Sequence, residues 1–204
     1  MERRPLPPLP PHRVDGTLPP ASGLPGQPPS IATLSPYLVT LETLLDRLTT
    51  TRDRVQLARG LIALRSRLRA LGIVQGFHWI GGSFVRIDAD PRDIDVITFH
   101  VRPAAWVSDA ARDAALASAP DLFELGRARE AYGCDARFVD LSNPVGAMRW
   151  GAYWSFLLGI DKDSYAASPE APRRVGFLQL ALAAPDQDRS ALQHLEARAR
   201  ALGA

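Results

Sequence analysis

The sequence predicts an α/β (α+β) fold, with a small mixed sheet of about four to five strands and packed helices, preceded by a proline-rich arm. Short apolar, β-branched runs bounded by turn residues predict strands within 76–101, 133–141 and 175–182. Leucine-rich stretches with helical spacing predict helices around them. A chain of 204 residues that is 46% hydrophobic is long enough for one domain with a substantial core.

Residues 1–30 form a compositional region of their own, because ten of the 18 prolines fall there. Proline lacks an N–H and fixes φ, so we expect neither a helix nor a central strand. We predict polyproline-II and loop structure, either disordered or draped over the domain that follows in 31–204. A docking role for the Pro-Leu-Pro-Pro-Leu-Pro run is the alternative.

A helical lead-in is predicted over 34–71. Its first helix begins at Ser35-Pro36, because Ser is a good cap and Pro fits the first helical position. A second helix follows a break at the threonines 49–51 and ends at Gly72. Its outer face is expected to carry a row of arginines, which indicates a solvated surface or, alternatively, contact with RNA or phosphate. These are Arg54, Arg65, Arg67 and Arg69.

The core in 72–182 alternates strands with helices. Further helices are predicted over 103–118, 121–129, 144–158 and 188–202, and a polar loop over 161–172. The helix over 144–158 is rich in aromatic residues, which we expect to lie in the core; a platform that stacks on a base is the alternative. The rings concerned belong to Trp150, Tyr153, Trp154 and Phe156.

Composition excludes several classes of protein. The net charge of +2 gives no strong overall field to attract nucleic acid, and Lys162 is the only lysine among 24 basic residues. A single cysteine, Cys134, excludes an intrachain disulfide and a multi-cysteine metal site. No segment approaches the roughly 18 apolar residues of a membrane span. We therefore expect a cytoplasmic protein with no membrane partner.

The most informative stretch places a glycine turn, Gly81-Gly82-Ser83, ahead of two carboxylates, Asp93 and Asp95. Apolar residues on either side indicate that one strand leads into the turn and that the carboxylates stand at the start of another. Side chains two residues apart on a strand lie on one face. Like charges this close repel unless a cation bridges them, and carboxylates together with substrate phosphates suit Mg²⁺. The backbone N–H groups of the turn and the serine hydroxyl suit a phosphate.

This pattern resembles the nucleotidyltransferase superfamily typified by DNA polymerase β, in which Gly-Ser or Gly-Gly precedes acidic–apolar–acidic–apolar by roughly ten residues. Here Gly82-Ser83, nine intervening residues and Asp93-Ile94-Asp95-Val96 fit position for position. The chain is also similar to small, uncharacterised bacterial proteins classed only as nucleotidyltransferase-like. The runs that carry this second similarity are Trp-Ile-Gly-Gly-Ser-Phe-Val and Cys-Asp-x-x-Phe-Val-Asp-Leu.

The resemblance implies a catalytic metal site. Asp93, Asp95 and Asp135 would be the catalytic carboxylates and would hold two Mg²⁺ ions, with Mn²⁺ as a substitute. Asp135 is followed by Arg137, which is similar to the acid-x-Arg pattern of the superfamily's third strand. Asp140 is the alternative third carboxylate, but it lies on the opposite strand face and suits a turn or capping role.

The resemblance also implies a nucleoside triphosphate as substrate. Gly81, Gly82 and Ser83 would bind its phosphates, because the glycines let the backbone approach closely. Arg86 is either a further phosphate-binding residue or a loop arginine that balances nearby acids.

Three functional hypotheses follow. The first is a Mg²⁺-dependent nucleotidyltransferase that modifies a hydroxyl of an RNA end, a protein or a small molecule, in the toxin–antitoxin or phage-defence setting that the resemblance suggests. The second is a non-catalytic nucleotide-binding or antitoxin-type protein with a cognate protein partner, which the long arm favours. The third is an RNA-binding adaptor that uses the arginines of the second helix.

Overall fold

The computed structural model describes residues 6–22, 26, 28, 30, 33–182 and 185–203, with the side chains of 185 and 186 excepted. Over this part of the chain the fold is mixed α/β, as the sequence predicts. Its strands are β1 (Tyr37–Val39), β2 (Gly76–Gly81), β3 (Ile94–His100), β4 (Cys134–Asp140) and β5 (Leu178–Ala181). They form one sheet in the order β1-β5-β2-β3-β4. The outer pairs β1–β5 and β3–β4 are parallel, whereas β2 runs antiparallel to both neighbours.

Helices pack on both faces of this sheet. They are α1 (Leu41–Leu48), α2 (Arg52–Ala70), α3 (Asp109–Ala117), α4 (Pro120–Phe123), α5 (Arg127–Tyr132), α6 (Pro144–Leu158), α7 (Lys162–Ala167) and α8 (Pro185–Ala201). A 3₁₀ turn, Gly82–Val85, directly follows β2. Hydroxyl or carboxylate side chains begin several helices by accepting a backbone N–H, as Thr40, Thr51 and Asp161 do for α1, α2 and α7.

The prediction that the first helix of the lead-in begins at Ser35-Pro36 is wrong. Tyr37–Val39 is a strand that pairs in parallel with β5, and α1 begins only at Leu41. Tyr37 is aromatic and Val39 is β-branched, and both types suit an edge strand. The backbone groups of this segment form hydrogen bonds with β5 instead of the bonds they would form within a helix. The expected polar loop over 161–172 likewise contains a short helix, α7, capped by Asp161.

The prediction of an exposed arginine row on α2 is also wrong. Arg54 and Arg65 are buried, because α8 and the segment after the 3₁₀ turn cover this side of α2. Arg65 forms a two-pronged ion pair with Asp188 of α8, with both N–O distances at 2.9 Å. Arg69 adds a second ion pair to the same carboxylate at 2.6 Å. Arg67, which is partly exposed, pairs with Asp121 at 3.1 Å. The four arginines are therefore engaged within the protein and do not form an exposed basic row.

The second face of the sheet carries a smaller aromatic and aliphatic cluster. Ile97, Phe99 and Val139 form its centre, and Trp154 of α6 packs against them. The expectation that the other aromatic residues of α6 lie in the core is wrong. Trp150, Tyr153 and Phe156 are each about half exposed.

The described part of the proline-rich arm is draped over the domain. Leu18 is buried, and its carbonyl accepts a hydrogen bond from the N–H of Gly176. The carbonyl of Gly16 accepts one from Ile87, in the segment after the 3₁₀ turn. The Pro-Leu-Pro-Pro-Leu-Pro run and the predicted boundary at 30–31 both extend outside the described residues. Within the described residues, no helix combines the length and apolarity needed to cross a bilayer.

Candidate functional site

The glycine turn brings the backbone against a carboxylate. Gly81 ends β2 and is the register partner of Asp95 on β3. Gly82 follows with φ +69°, a left-handed conformation that disfavours any residue with a Cβ. A Cβ at this position would also overlap Oδ2 of Asp95. Only glycine therefore fits between the turn and this carboxylate.

The two parallel strands β3 and β4 bring Asp95 and Asp135 side by side. They are direct register partners, so their side chains lie on the same face of the sheet. Asp93 comes two residues before Asp95, just ahead of β3. Asp140 pairs with His100 at the other end of the strands, about 16 Å along the sheet. Of the two candidates for the third carboxylate, Asp135 is the one beside Asp95.

Each of these three carboxylates has a basic partner. Arg129 Nε lies 2.9 Å from Asp93 Oδ2, and Lys162 Nζ lies 3.5 Å from Asp95 Oδ2. Arg137 forms an ion pair with Asp135. Among the described residues, no group of three or more His, Cys, Asp or Glu side chains is arranged so that it could hold a metal ion. Basic side chains thus neutralise the three acids.

Asp95 is the electrostatic centre of the group. Burial raises the pKa of its carboxyl, Lys162 opposes that shift, and the negative charges of Asp93 and Asp135 raise the pKa further. The carboxyl of Asp95 is thus influenced by both other acids, although each acid has its own basic partner. A cation close to Asp95 would favour its ionised form.

A cavity of about 220 Å³ opens beside Asp95. Its wall includes the predicted residues Gly82, Ser83, Arg86, Asp93 and Asp95. The predicted residues Gly81 and Asp135 are not on this wall. Residues that sequence reasoning did not assign to the site also line it, among them Thr17, Leu18, Asp161, Lys162 and Asp163. Among these residues, only Lys162 stands out in the sequence, because it is the single lysine among 24 basic residues.

Arg86 is held at the cavity by two carboxylates. Its guanidinium donates to Asp88 at 2.8 Å and lies 3.4 Å from Asp161. Arg173 also binds Asp161, at 2.8 Å, and reaches Asp15 of the arm at 2.7 Å. This network ties the arm, the segment after the 3₁₀ turn and the start of α7 into one wall.

Arg54 holds the segment after the 3₁₀ turn in place. Its buried guanidinium donates to the carbonyls of Phe84 at 2.8 Å and Ala89 at 2.7 Å, and also to that of Arg86. A further bond at 3.2 Å reaches Leu48 of α1. The fork of donors thus fixes the chain directly after the glycine turn.

Residues 10–181, more than four fifths of the chain, match a family described as a family of unknown function, DUF6932. The chain belongs to the DUF6932 family. No curated protein and no solved structure matches it. Nothing in these comparisons links DUF6932 to the nucleotidyltransferase superfamily, so that resemblance stays a prediction from the residues.

Proposed function

We propose that this DUF6932 protein is a divalent-metal-dependent nucleotidyltransferase, which moves a nucleoside monophosphate from a nucleoside triphosphate to an acceptor hydroxyl. The observation that carries the proposal is the contact of Gly82 with Asp95, whose register partner is Asp135. A glycine turn, a pair of carboxylates and a cavity meet at one end of the sheet, and the cavity wall carries Arg86 and Lys162 beside four acids. With divalent cations on the carboxylates, this combination suits a phosphate ligand.

The chemistry of the donors suits Mg²⁺, with Mn²⁺ as a substitute, although each carboxylate pairs with a basic side chain that an ion would displace. Carboxylate oxygens are the hard ligands these ions prefer. Lys162 already lies at Asp95, which indicates that this carboxylate attracts positive charge. Asp93, Asp95 and Asp135 are the residues that would hold two ions. Such ions, when bound, would neutralise negative charge on the reacting phosphate.

The chain's own residues would bind and orient the triphosphate. Gly82 permits close approach of the backbone, and Ser83 offers a hydroxyl donor at the cavity wall. Arg86 and Lys162 supply positive charge there. The cavity volume of about 220 Å³ lies below the roughly 300–1,000 Å³ of clefts that enclose whole ligands, which favours a site for the phosphates. The base would then lie outside the enclosed part.

The test is label transfer. The protein is incubated with each labelled ribonucleoside triphosphate, Mg²⁺ and cell extract, and labelled acceptors are separated as RNA, protein or small molecules. We expect labelling by the natural protein and by Asp140→Asn, and none by Asp95→Asn or Asp135→Asn. The proposal fails if no triphosphate gives label, or if Asp95→Asn labels as well as the natural protein does.

A non-catalytic role is the second candidate, and one observation favours it. All three carboxylates are paired with a basic side chain, so the acids are neutralised without a metal. In that role the protein binds nucleotide, acts through a cognate partner and belongs to a toxin–antitoxin or phage-defence pair. Nucleotide binding that survives Asp95→Asn, with no label transfer, would select this candidate. Both roles fit a cytoplasmic protein whose only cysteine, Cys134, is a buried free thiol.

A further inference from the structure

Helix α6 is apolar on every side. Arg149 is its only charged residue, and the helix contains no acid. A helix with this composition is expected to be buried all round, because neither side gains from contact with water. A surface helix normally carries charged residues on its outer face.

Only one side of α6 is covered in the described chain. Ala147, Trp154 and Leu158 pack toward the sheet, and Leu158 is the one buried residue of the helix. On the opposite side the exposed fraction is 77% for Met148 and 70% for Val145. The two faces are therefore equally apolar in sequence but unequal in burial.

The exposed face has the spacing of a helix–helix contact. Val145, Met148, Ala152 and Phe156 follow one another at steps of three, four and four residues, which keeps them on one stripe. Tyr153 flanks the stripe and is 48% exposed. Ala152 stands at its middle, where a small side chain permits close approach of a second helix.

We propose that this outer face of α6 pairs with the same face of a second copy of the chain, antiparallel, with the two-fold axis at Ala152. Such a contact is isologous, so position 148 of each copy meets position 156 of the other copy. Apart from Arg149 the face carries no charge, so it suits an apolar partner surface, and a second copy presents the same apolar stripe. Arg149 would lie beside Phe156 of the partner subunit, a cation–π contact of the kind Arg174 already makes with Phe156 at 5.8 Å.

The area of the face is consistent with a weak to moderate dimer. The exposed parts of its large side chains amount to about 500 Å² per copy, at the upper end of patches found on monomers. Two copies would bury about 1,000 Å² together, which is near the lower limit for a specific interface. The pairing does not depend on the proposed function, although Leu157 and Leu158 at the end of α6 line the candidate cavity.

The experiment measures self-association of the full chain. Sedimentation velocity over a range of micromolar concentrations should show a monomer–dimer equilibrium. Met148→Glu should weaken it at least about tenfold, because a charge would be buried against Phe156 of the partner subunit. Leu125→Glu is the matched control, since Leu125 is a surface residue, 82% exposed and outside α6, and it should leave the equilibrium unchanged.

Cross-linking tests the axis separately. Ala152→Cys should give a disulfide-linked dimer on mild oxidation, because the axis brings the two copies of this position together, whereas Val107→Cys should not. Val107 is 86% exposed, so a thiol there is at least as accessible. A chain that stays monomeric at the highest concentration would overturn the proposal. A dimer that Met148→Glu does not weaken, or that Ala152→Cys does not cross-link, would overturn it too.

Discussion

Gly82 and Asp95 are in direct contact, with the backbone of the glycine against the carboxylate of the acid. The contact exists because the β2–β3 pairing ends at Gly81 and Asp95, so the turn that follows folds back over the strand. Burial under this turn helps raise the pKa of the Asp95 carboxyl. The sequence motif thus corresponds to a physical contact between its two halves.

Gly82→Ala should disrupt the site more than the unfavourable backbone conformation of an alanine alone would. Its Cβ would overlap the Asp95 carboxylate, and the left-handed conformation costs about 1–2 kcal/mol in addition. Gly126→Ala is the control, because Gly126 has a similar φ of +83° but open space around it. Thermal unfolding and nucleotide-binding titration of both variants check this. Equal losses in the two variants would show that the contact with Asp95 does not matter.

Arg54→Lys should loosen the segment after the glycine turn although the charge is retained. A lysine has one donor centre and cannot replace a fork that serves four carbonyls, so buried acceptors lose their partners. We expect a loss of at least about 2 kcal/mol in the free energy of unfolding. Arg52→Lys, at the exposed start of α2, should change little. Urea unfolding measures the stability, and amide exchange over 84–89 reports the local loosening.

Asp188→Asn should be among the most destabilising single changes. It leaves Arg65 buried without its ion-pair partner, which typically costs about 3–5 kcal/mol. Glu196→Gln removes the partner of Arg59 in an ion pair of the same two-pronged geometry at the surface, and water replaces the lost contact there. Urea unfolding of both variants at neutral pH should separate them clearly. Similar stabilities would mean that Arg65 finds another partner or enough water.

Stability should fall as the pH is lowered through the histidine range. His78 is fully buried against Thr98, and burial, with the nearby charges of Arg65 and Arg69, holds its pKa well below the ordinary 6.5. Below pH 6.5 the unfolded chain therefore binds a proton that the folded chain does not. This proton binding stabilises the unfolded state relative to the folded state. The free energy of unfolding should decrease from pH 7.5 toward pH 5, as denaturant unfolding at each pH would show.

His78→Gln checks the assignment of this pH effect. The variant should lose stability less steeply over the same pH range, because one titrating group has been removed. His12 and His100, whose pKa values burial also lowers, contribute to the slope that remains. An unchanged slope in the variant would exclude His78 as a source.

Much of the fold followed from local patterns in the sequence. The strands beside the glycine turn, the leucine stripe of α1 and the aromatic helix each showed in spacing and residue type. The first helix was predicted to begin at Ser35-Pro36, because serine is a good cap and proline fits the first helical position. The strand over Tyr37–Val39 depends on pairing with β5, about 140 residues later, which no local pattern reveals.

The burial and the ion-pair partners of charged residues were less predictable from the sequence. The arginines of α2 were expected on its outer face, but Asp188 of α8 binds two of them, Arg65 and Arg69. A helical wheel assigns charged residues to solvent by default, and only packing shows that a distant acid makes burial possible. Lys162 likewise became part of the site only through the position of α7.

The sequence by itself determined the motif, Gly82-Ser83 with Asp93 and Asp95, since these residues lie on one hairpin whose geometry is local. Tertiary structure decided what surrounds it: Asp135 as the neighbour of Asp95, and the arm and Lys162 as walls of the cavity. The physical reason is that register between distant strands and the burial of charges depend on contacts between segments far apart in the chain, which residue order alone does not specify.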